Sequence, residues 1–262
     1  MHILIAGESW TVHSIHQKGF DSFTTTDYAE GVEWLRSALE SHGHTVDFQP
    51  SHVASRKFPS TVVELQRYDC VVLSDIGANT LLLHPETFSQ SRSLPNRLWA
   101  LREYVLQGGG LVMIGGYMTF QGIEGKARYH GTPVEEVLPV LLEAGDDRVE
   151  APEGLVATVE LPEHEIVQGI VGAWPALLGL NAVHVKGDSE LIATAGGYPL
   201  LVAGVSGKGR SVAFTSDCSP HWAPAEFLAW EHYDRLWAQI VEWCGVGDAK
   251  GVHLAAVMEP AT

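Results

Sequence analysis

Short apolar runs that alternate with helix-like segments are the feature that most constrains the fold of this chain. His2–Ala6, Asp69–Ser74 and Leu111–Ile114 are largely apolar and have the length of strands. Between them, apolar residues recur at helical spacing in Ala29–His42 and Pro95–Gln107. Strands that are apolar on both faces are typical of parallel sheets, whose crossover helices cover the two faces. The sequence therefore predicts an α/β, doubly wound fold with a mostly parallel sheet and helices on both faces.

Further segments extend this pattern. Gly43 is suited to end the first helix, because glycine tolerates the left-handed conformation found after helix ends. Polar residues after Gly7 predict a long loop, and Ala225–Cys244 predicts a final helix whose apolar residues share one face. Shorter predicted elements are the strand His44–Phe48, a helical piece at Ser60–Arg67, and the strands Leu155–Leu161, Leu191–Ala195, Pro199–Val205 and Ser211–Thr215.

The C-terminal half differs from the first half in its turns. The last two predicted strands are joined by Ser206–Gly209, which is short enough for a hairpin and predicts an antiparallel extension of the sheet. We find no linker or internal repeat, so a single domain over residues 1–245 is expected, followed by a flexible tail at 246–262.

Charge, apolar content and cysteine content limit the partners and the compartment expected for this chain. The formal net charge of −16 argues against nucleic acid, which requires a basic surface. No apolar run is long enough to span a membrane. The three scattered cysteines fit a reducing compartment, and the N-terminus resembles a first strand rather than a signal peptide, so a cytoplasmic protein is expected. We expect a small-molecule ligand, and the composition is compatible with a homo-oligomer.

The strand at Leu111–Ile114 runs directly into a Gly-Gly-Tyr turn within Gly108–Gly122. Many α/β hydrolytic enzymes carry their nucleophile on a sharp turn after such a strand. Here Tyr117 stands at the tip, where a serine or cysteine would be expected for that chemistry.

Four predicted loops leave the carboxyl ends of strands, which is where ligands bind in open α/β sheets. If the strands are adjacent, these loops converge on one pocket. The expected catalytic residues are Tyr117, His221 and Asp217, and the expected substrate-binding residues are Glu8, His13, His16, Asp75, Thr119 and Trp222.

Alternatives remain open at several of these positions. Taken singly, His13 and His16 are better explained by a surface position on a loop than by a binding role, and Asp75 could simply begin a turn. His13 and His16 could also join Asp75, Asp217 and His221 in a metal site, although the spacing is not diagnostic. Neither the metal nor any cofactor is identified by the sequence. Cys218 lies near His221, but nothing in the sequence places its thiol in a thiolate-stabilising environment, so we interpret it as an incidental small residue.

Two stretches resemble the class I glutamine amidotransferase-like superfamily: Gly108–Tyr117 and Gly207–Asp217. Pro162–Ile170 resembles a segment of the trehalose-utilisation (ThuA-like) proteins, and the similarity covers about residues 1–245. The resemblance implies a flavodoxin-like sheet with an active-site cysteine at the turn after the fourth strand. Tyr117 stands at that position in this chain, so the usual glutaminase chemistry is not expected, because a tyrosine hydroxyl is a poor acyl nucleophile.

Three functions are compatible with these residues. The first is an enzyme acting on a small polar metabolite, a sugar derivative or an amide, with His221 as general base or acid, Asp217 orienting it and Tyr117 donating a hydrogen bond. The second is a metal-dependent hydrolase in which Tyr117 is a ligand. The third is a non-catalytic protein that binds a small molecule or takes part in assembly. We favour the enzyme.

Overall fold

A computed structural model describes residues 1–247 of the chain. The predicted tail at 246–262 therefore lies outside the described residues, apart from its first two positions. The strands are β1 (His2–Gly7), β2 (Ser9–Lys18), β3 (Asp21–Glu30), β4 (Thr45–Gln49), β5 (Cys70–Ser74), β6 (Gly110–Ile114), β7 (Val140–Leu142), β8 (Arg148–Leu155), β9 (Ala157–Val159), β10 (Leu177–Asn181), β11 (Val183–Val185), β12 (Glu190–Ala195), β13 (Tyr198–Ser206) and β14 (Gly209–Phe214). The helices are α1 (Glu33–Ser41), α2 (Ser51–Lys57), α3 (Val62–Leu65), α4 (Ala78–Leu82), α5 (Pro85–Gln90), α6 (Arg97–Leu106), α7 (Pro133–Val137), α8 (Ala225–Leu228) and α9 (Tyr233–Gly245), with 3-10 turns at Ile123–Gly125 and Glu165–Val167.

The central sheet has eight strands in the order β4-β1-β5-β6-β14-β13-β12-β9. The pairs from β4 to β14 are parallel. The pairs from β14 to β9 are antiparallel. This sheet confirms the predicted fold class, a mostly parallel α/β sheet with an antiparallel extension in the C-terminal half. The predicted hairpin through Ser206–Gly209 is also confirmed, since Ser206 pairs with Gly209.

Helices cover both faces of the sheet because side chains alternate along each strand. In β1, Ile3 and Ile5 point into a core with α1 and α9. Leu4 and Ala6 point into a second core with α2, α3, α4, α6 and α7. Burial of apolar surface on both faces fixes the strand order and so places four strand ends side by side.

The prediction of a long polar loop after Gly7 is wrong. Residues Ser9–Lys18 and Asp21–Glu30 form a regular antiparallel hairpin instead. The prediction failed because neither face of this hairpin is buried, so the alternation of apolar and polar residues that identifies a strand is absent. Since the hairpin takes up the residues to Glu30, the first helix begins at Glu33 rather than at Ala29.

The single final helix predicted over Ala225–Cys244 is also wrong, because α8 ends at Leu228 and α9 begins at Tyr233. Trp230 lies in the break and packs against Trp174 and Phe227. This tertiary packing overrides the local helical pattern. The predicted apolar face of α9 is buried against the sheet.

Candidate functional site

The carboxyl ends of β1, β5, β6 and β14 are adjacent, and the loops that follow them enclose a cavity of about 520 Å³. Five predicted site residues line it: Glu8, Asp75, Tyr117, Asp217 and His221. Five other lining residues were not among the predicted ones: Trp10, Met118, Ile123, Ser219 and Pro220. The sequence-based expectation that the four loops meet at one place therefore matches the arrangement of the strands.

Sharp turns bring the chain into this cavity directly after the strands. Glu8 and Asp75, each the first residue after its strand, have left-handed backbone conformations with φ of 43° and 45°. Such conformations are costly for residues other than glycine and occur most often at functional sites. Gly115 is required after β6 because a Cβ there would lie 2.1 Å from the carbonyl oxygen of Thr215.

Glu8 is almost fully buried, with 1% of its surface exposed. Its carboxylate accepts hydrogen bonds from the hydroxyls of Ser74, at 2.5 Å, and Ser219, at 2.7 Å. Burial, reinforced by the nearby charges of Asp217 and Asp75, raises the pKa of Glu8 to about 8. Glu8 therefore holds its proton at neutral pH.

Asp75 lies beside the turn that follows β6. One of its carboxylate oxygens accepts a hydrogen bond from the backbone N–H of Met118 at 2.8 Å. Burial and the charge of Asp217 raise the pKa of Asp75 to about 6, against the opposing effects of the Met118 N–H and His221. The cavity thus contains two carboxyl groups whose proton affinities differ from each other.

His221 and Asp217 form a close pair at the end of β14. The Nδ1 atom of His221 lies 3.4 Å from Oδ2 of Asp217. The other oxygen of Asp217 accepts a hydrogen bond from the backbone N–H of Ser219 at 3.1 Å. Asp217 is buried, whereas about a third of the His221 side chain is exposed towards the cavity and solvent. This arrangement can orient an imidazole for proton transfer.

The ring of Tyr117 packs edge-on against His221, with ring centroids 4.2 Å apart. Its hydroxyl donates a hydrogen bond to Glu150 at 3.0 Å, and the guanidinium of Arg148 lies over its ring. Burial and the hydrogen bond to Glu150 raise the pKa of Tyr117 above its usual value. The phenol is therefore held in its protonated form, which does not favour the expected role as a phenolate metal ligand.

The remaining predicted site residues do not line the cavity. His13 and His16 lie on the hairpin, where His13 bonds to Thr26 and His16 stacks on Phe23. Residues three apart on a strand point to opposite faces, so these two rings cannot share one metal ion. Thr119, although it follows the Tyr117 turn, is fully buried.

Trp222 is also buried, and it supports the site from behind. Its indole N–H donates to the same Glu150 carboxylate that accepts from Tyr117, at 3.0 Å. Its ring stacks on His221, with centroids 4.9 Å apart. Glu150 itself comes from β8, which pairs with β10 outside the central sheet, and no sequence pattern pointed to it.

Cys218 is fully buried, and burial together with the charge of Glu8 raises the pKa of its thiol well above the usual value. Ligand atoms of Glu8, Asp217 and Cys218 lie within 4.8 Å of one another. Two of these three groups are disposed to keep their protons, whereas metal binding requires the deprotonated forms. A cation at this set would have to displace the protons of Glu8 and Cys218.

A second cavity of about 420 Å³ adjoins the first, since Pro220 and His221 line both. Its other lining residues are mainly apolar and include Trp34 and Leu228. His221 thus lies between two cavities that are both lined largely by apolar surface, and the first of them also contains the carboxyl groups of Glu8, Asp75 and Asp217.

Comparisons with known proteins give consistent results. A family model described as "Putative glutamine amidotransferase" matches residues 2–246. The chain is 46% identical to cytoplasmic protein STM3548 from Salmonella typhimurium, with a TM-score of 0.90 over 92% of this chain and 98% of that one. It is 47% identical to cytoplasmic protein STM1381 from Salmonella typhimurium LT2, with a TM-score of 0.90 over 93% and 99% of the two chains.

A more distant match concerns the fold alone. A ThuA-like protein from Bacteroides uniformis is 11% identical, with a TM-score of 0.55 over 92% of this chain and 89% of that one. No curated protein matches the chain significantly. Within residues 1–247, no helix is both long and apolar enough to cross a membrane.

Proposed function

The chain belongs to the family described as putative glutamine amidotransferases, and from this premise we propose that it is an enzyme that performs acid–base chemistry on a small polar metabolite, a sugar derivative or an amide, without a cysteine nucleophile. The observation that carries this proposal is the His221–Asp217 pair, 3.4 Å apart and open to a cavity lined by carboxyl groups.

His221 is the proposed general base or acid. Its Nδ1 faces Asp217, which leaves Nε2 as the ring nitrogen that exchanges a proton with the ligand. Asp217 is a positioning residue, because it is itself held by the N–H of Ser219 and acts on the ligand only through His221. Orientation of an imidazole by a carboxylate is a recurrent way to fix its tautomer and direction.

Glu8 and Asp75 supply the second partner of the proton transfer. With a pKa of about 8, Glu8 is protonated at neutral pH, whereas Asp75, at about 6, is largely ionised. Titratable groups whose environments separate their pKa values are suited to distinct acid and base roles. Glu8, which lies beside Asp217, is the proposed proton donor. Asp75 is the proposed hydrogen-bond acceptor for ligand hydroxyl or amide groups.

The positions of the cysteines support chemistry other than glutaminase activity. The family's thioester mechanism requires a thiolate at the turn after β6, where this chain has Tyr117. Cys218, the nearest cysteine to His221 in sequence, is buried with a raised pKa. The hydroxyl of Tyr117 is bonded to Glu150, so Tyr117 is proposed to position His221 and to reach a ligand only by exchanging that bond.

The neighbouring apolar cavity refines the class of ligand. A metabolite bound by the carboxyl groups could extend an apolar substituent past His221 towards Trp34 and Leu228. The two Salmonella relatives are named cytoplasmic proteins, and we propose the same compartment for this chain. Its net charge of −16 supports a partner other than nucleic acid.

A turnover screen tests the proposal. The full chain is incubated with L-glutamine and with a panel of monosaccharide derivatives and simple carboxamides, and products are detected by NMR. We expect no ammonia from L-glutamine and turnover of at least one panel compound. His221→Ala should lower kcat by roughly 10²-fold or more, while Glu153→Gln, at an exposed position, should leave it unchanged. Ammonia release that disappears in Cys218→Ala, or full activity in His221→Ala, would contradict the proposal.

A non-catalytic binding protein is the second candidate. It is favoured by the hydrogen bond that ties the Tyr117 hydroxyl to Glu150 rather than leaving it free for a ligand. A thermal-shift screen with the same panel separates the two candidates. Binding without product formation in the wild-type chain would favour this second function.

A further inference from the structure

The hairpin formed by β2 and β3, here called the arm (Ser9–Glu30), projects from the domain with little support. Every residue from Trp10 to Glu30 is exposed, except Ser14, which is partly buried. Each strand has ten residues, so the arm is roughly 30 Å long at ~3.4 Å per residue.

Within residues 1–247, contacts between the arm and the rest of the domain are confined to its base. The hydroxyl of Ser9 accepts a hydrogen bond from the backbone N–H of Ser51 at 2.8 Å, and Tyr28 packs edge-on against His52. Trp10, at the same end, lines the candidate active-site cavity. Beyond the base, the arm is held by its own cross-strand pairs.

An isolated two-stranded hairpin is marginally stable in water at best. The arm nevertheless pairs in regular register from Ser9↔Glu30 to Lys18↔Asp21, without a bulge. It also exposes large apolar side chains: Ile15 is 77% exposed, Phe20 is fully exposed, and Phe23 is 49% exposed. Ile15 and Phe23 lie on opposite faces of the arm, because Ile15 pairs with Thr24 and Phe23 pairs with His16. Each face and the tip of the arm therefore expose a large apolar side chain that is available to a partner.

The edges of the arm lack the usual protection against pairing. Proteins protect exposed strand edges with prolines, bulges or charges. The edge strand β3 contains no proline or bulge, and its central residues Thr24, Thr25 and Thr26 are uncharged. The charges between Thr11 and Thr26 are those of Lys18 and Asp21, both near the tip.

We propose that the arm docks on a second copy of this chain. Backbone edges of antiparallel strands are complementary to themselves about a two-fold axis, so a symmetric pair of arms satisfies both copies at once.

Charge favours a second copy over other occupants. Two copies of a chain with a net charge of −16 repel each other over most of their surface. The paired segment His13–Thr26, the distal part of the arm, carries one lysine and one aspartate and has no net formal charge, whereas Asp27 and Glu30 lie towards the base. The distal part can therefore approach another acidic copy with less repulsion than the chain as a whole. A polyanionic partner would require more than one basic residue there.

Sedimentation of the full chain over a wide range of concentrations tests this inference. We expect the wild-type chain to form an oligomer and Ile15→Lys to weaken association by about tenfold or more, because the substitution places a charge in the middle of the proposed interface. Val63→Lys is the matched control, because Val63 is 75% exposed but lies on α3 outside the arm. It should associate as the wild type does.

A second variant replaces Thr11–Tyr28 with two glycines and should be monomeric, with an unchanged far-UV spectrum for the helices. A monomeric wild-type chain at all concentrations would overturn the inference and leave a different protein as the partner of the arm. Equal association of Ile15→Lys and Val63→Lys would overturn it as well. Neither outcome depends on whether the cavity is catalytic.

Discussion

Glu8, at the edge of the candidate active-site cavity, and the arm are neighbours in sequence, yet one is buried and the other is exposed to solvent. Glu8, in the cavity, is buried and bonded to side chains from β5 and from the loop after β14. Ile15, seven residues later, is mostly exposed, and its strand bonds within the arm. At Glu8, contacts with segments that are distant in the sequence control both the stability of the cavity and the pKa of the carboxyl group. In the arm, local pairing sets the structure, and we infer that a partner completes it.

Four substitutions test this difference, beginning with the largest expected effect. Trp222→Ala removes a fully buried ring that supports both Tyr117 and His221. We expect the free energy of unfolding to fall by ~3–5 kcal/mol, because the change removes apolar burial and leaves a cavity. Chemical denaturation measures it, and Trp222→Phe should show a smaller loss. Trp99→Ala, at a half-exposed tryptophan, is the control. Equal losses in the two alanine variants would contradict the assigned burial.

Glu8→Gln tests whether burial raises the pKa of the Glu8 carboxyl group. Because the pKa of Glu8 rises from 4.5 to about 8 on folding, the folded state binds more protons than the unfolded state between these values. Stability should therefore fall as pH increases through that range. In Glu8→Gln we expect this decrease to be smaller, by roughly 2–4 kcal/mol between pH 5 and 9. Denaturation at both pH values measures it.

The control for this pH dependence is Glu153→Gln, at an exposed glutamate. It should follow the wild-type curve. If Glu8→Gln and the wild type lost the same stability between the two pH values, the raised pKa of Glu8 would be disproved.

Asn181→Ala tests the anchoring of the turn after β6. The amide of Asn181 bonds to both the N–H and the carbonyl of Gly116 and donates to Asp147 at 2.8 Å. Its loss leaves buried polar groups unpaired, which should cost about 1–3 kcal/mol. Asn79→Ala, at an exposed position on α4, should change stability far less. An effect of Asn181→Ala no larger than that of Asn79→Ala would show that the anchor is not needed.

Phe20→Ala, at the tip of the arm, has the smallest expected effect on the isolated chain. Phe20 is fully exposed, so the free energy of unfolding should change by less than about 0.5 kcal/mol at concentrations where the chain is monomeric. A loss of more than 1 kcal/mol would mean that the arm packs on its own domain, and the contrast between the two regions would disappear.

Much of the fold was predictable because local sequence patterns specify it. The continuous apolar content of β1, β5 and β6 identified buried parallel strands, and the turn Ser206–Gly209 identified the β13–β14 hairpin. Once these strands are adjacent, residues directly after them must lie close together. For this reason Glu8, Asp75 and Tyr117 line the cavity as expected.

Other parts of the site were beyond the reach of these patterns. Glu150 reaches Tyr117 and Trp222 from β8, which belongs to a separate two-stranded sheet. Thr119 and Trp222 were predicted to bind substrate, but their side chains are buried in the interior. The arm was predicted as a loop, since a hairpin exposed on both faces lacks the period-two pattern of a half-buried strand.

The sequence by itself determined the α/β class, the mostly parallel character of the sheet and the end of its strands where chemistry is expected, because burial of apolar strands between helices leaves few alternatives. The order of the strands came from the structure. Only the tertiary structure decided which side chains face the cavity, which carboxyl groups keep their protons and which segment stands unsupported. These properties depend on the distance between residues far apart in the chain and on their exclusion from water, and neither quantity is a property of a local sequence segment.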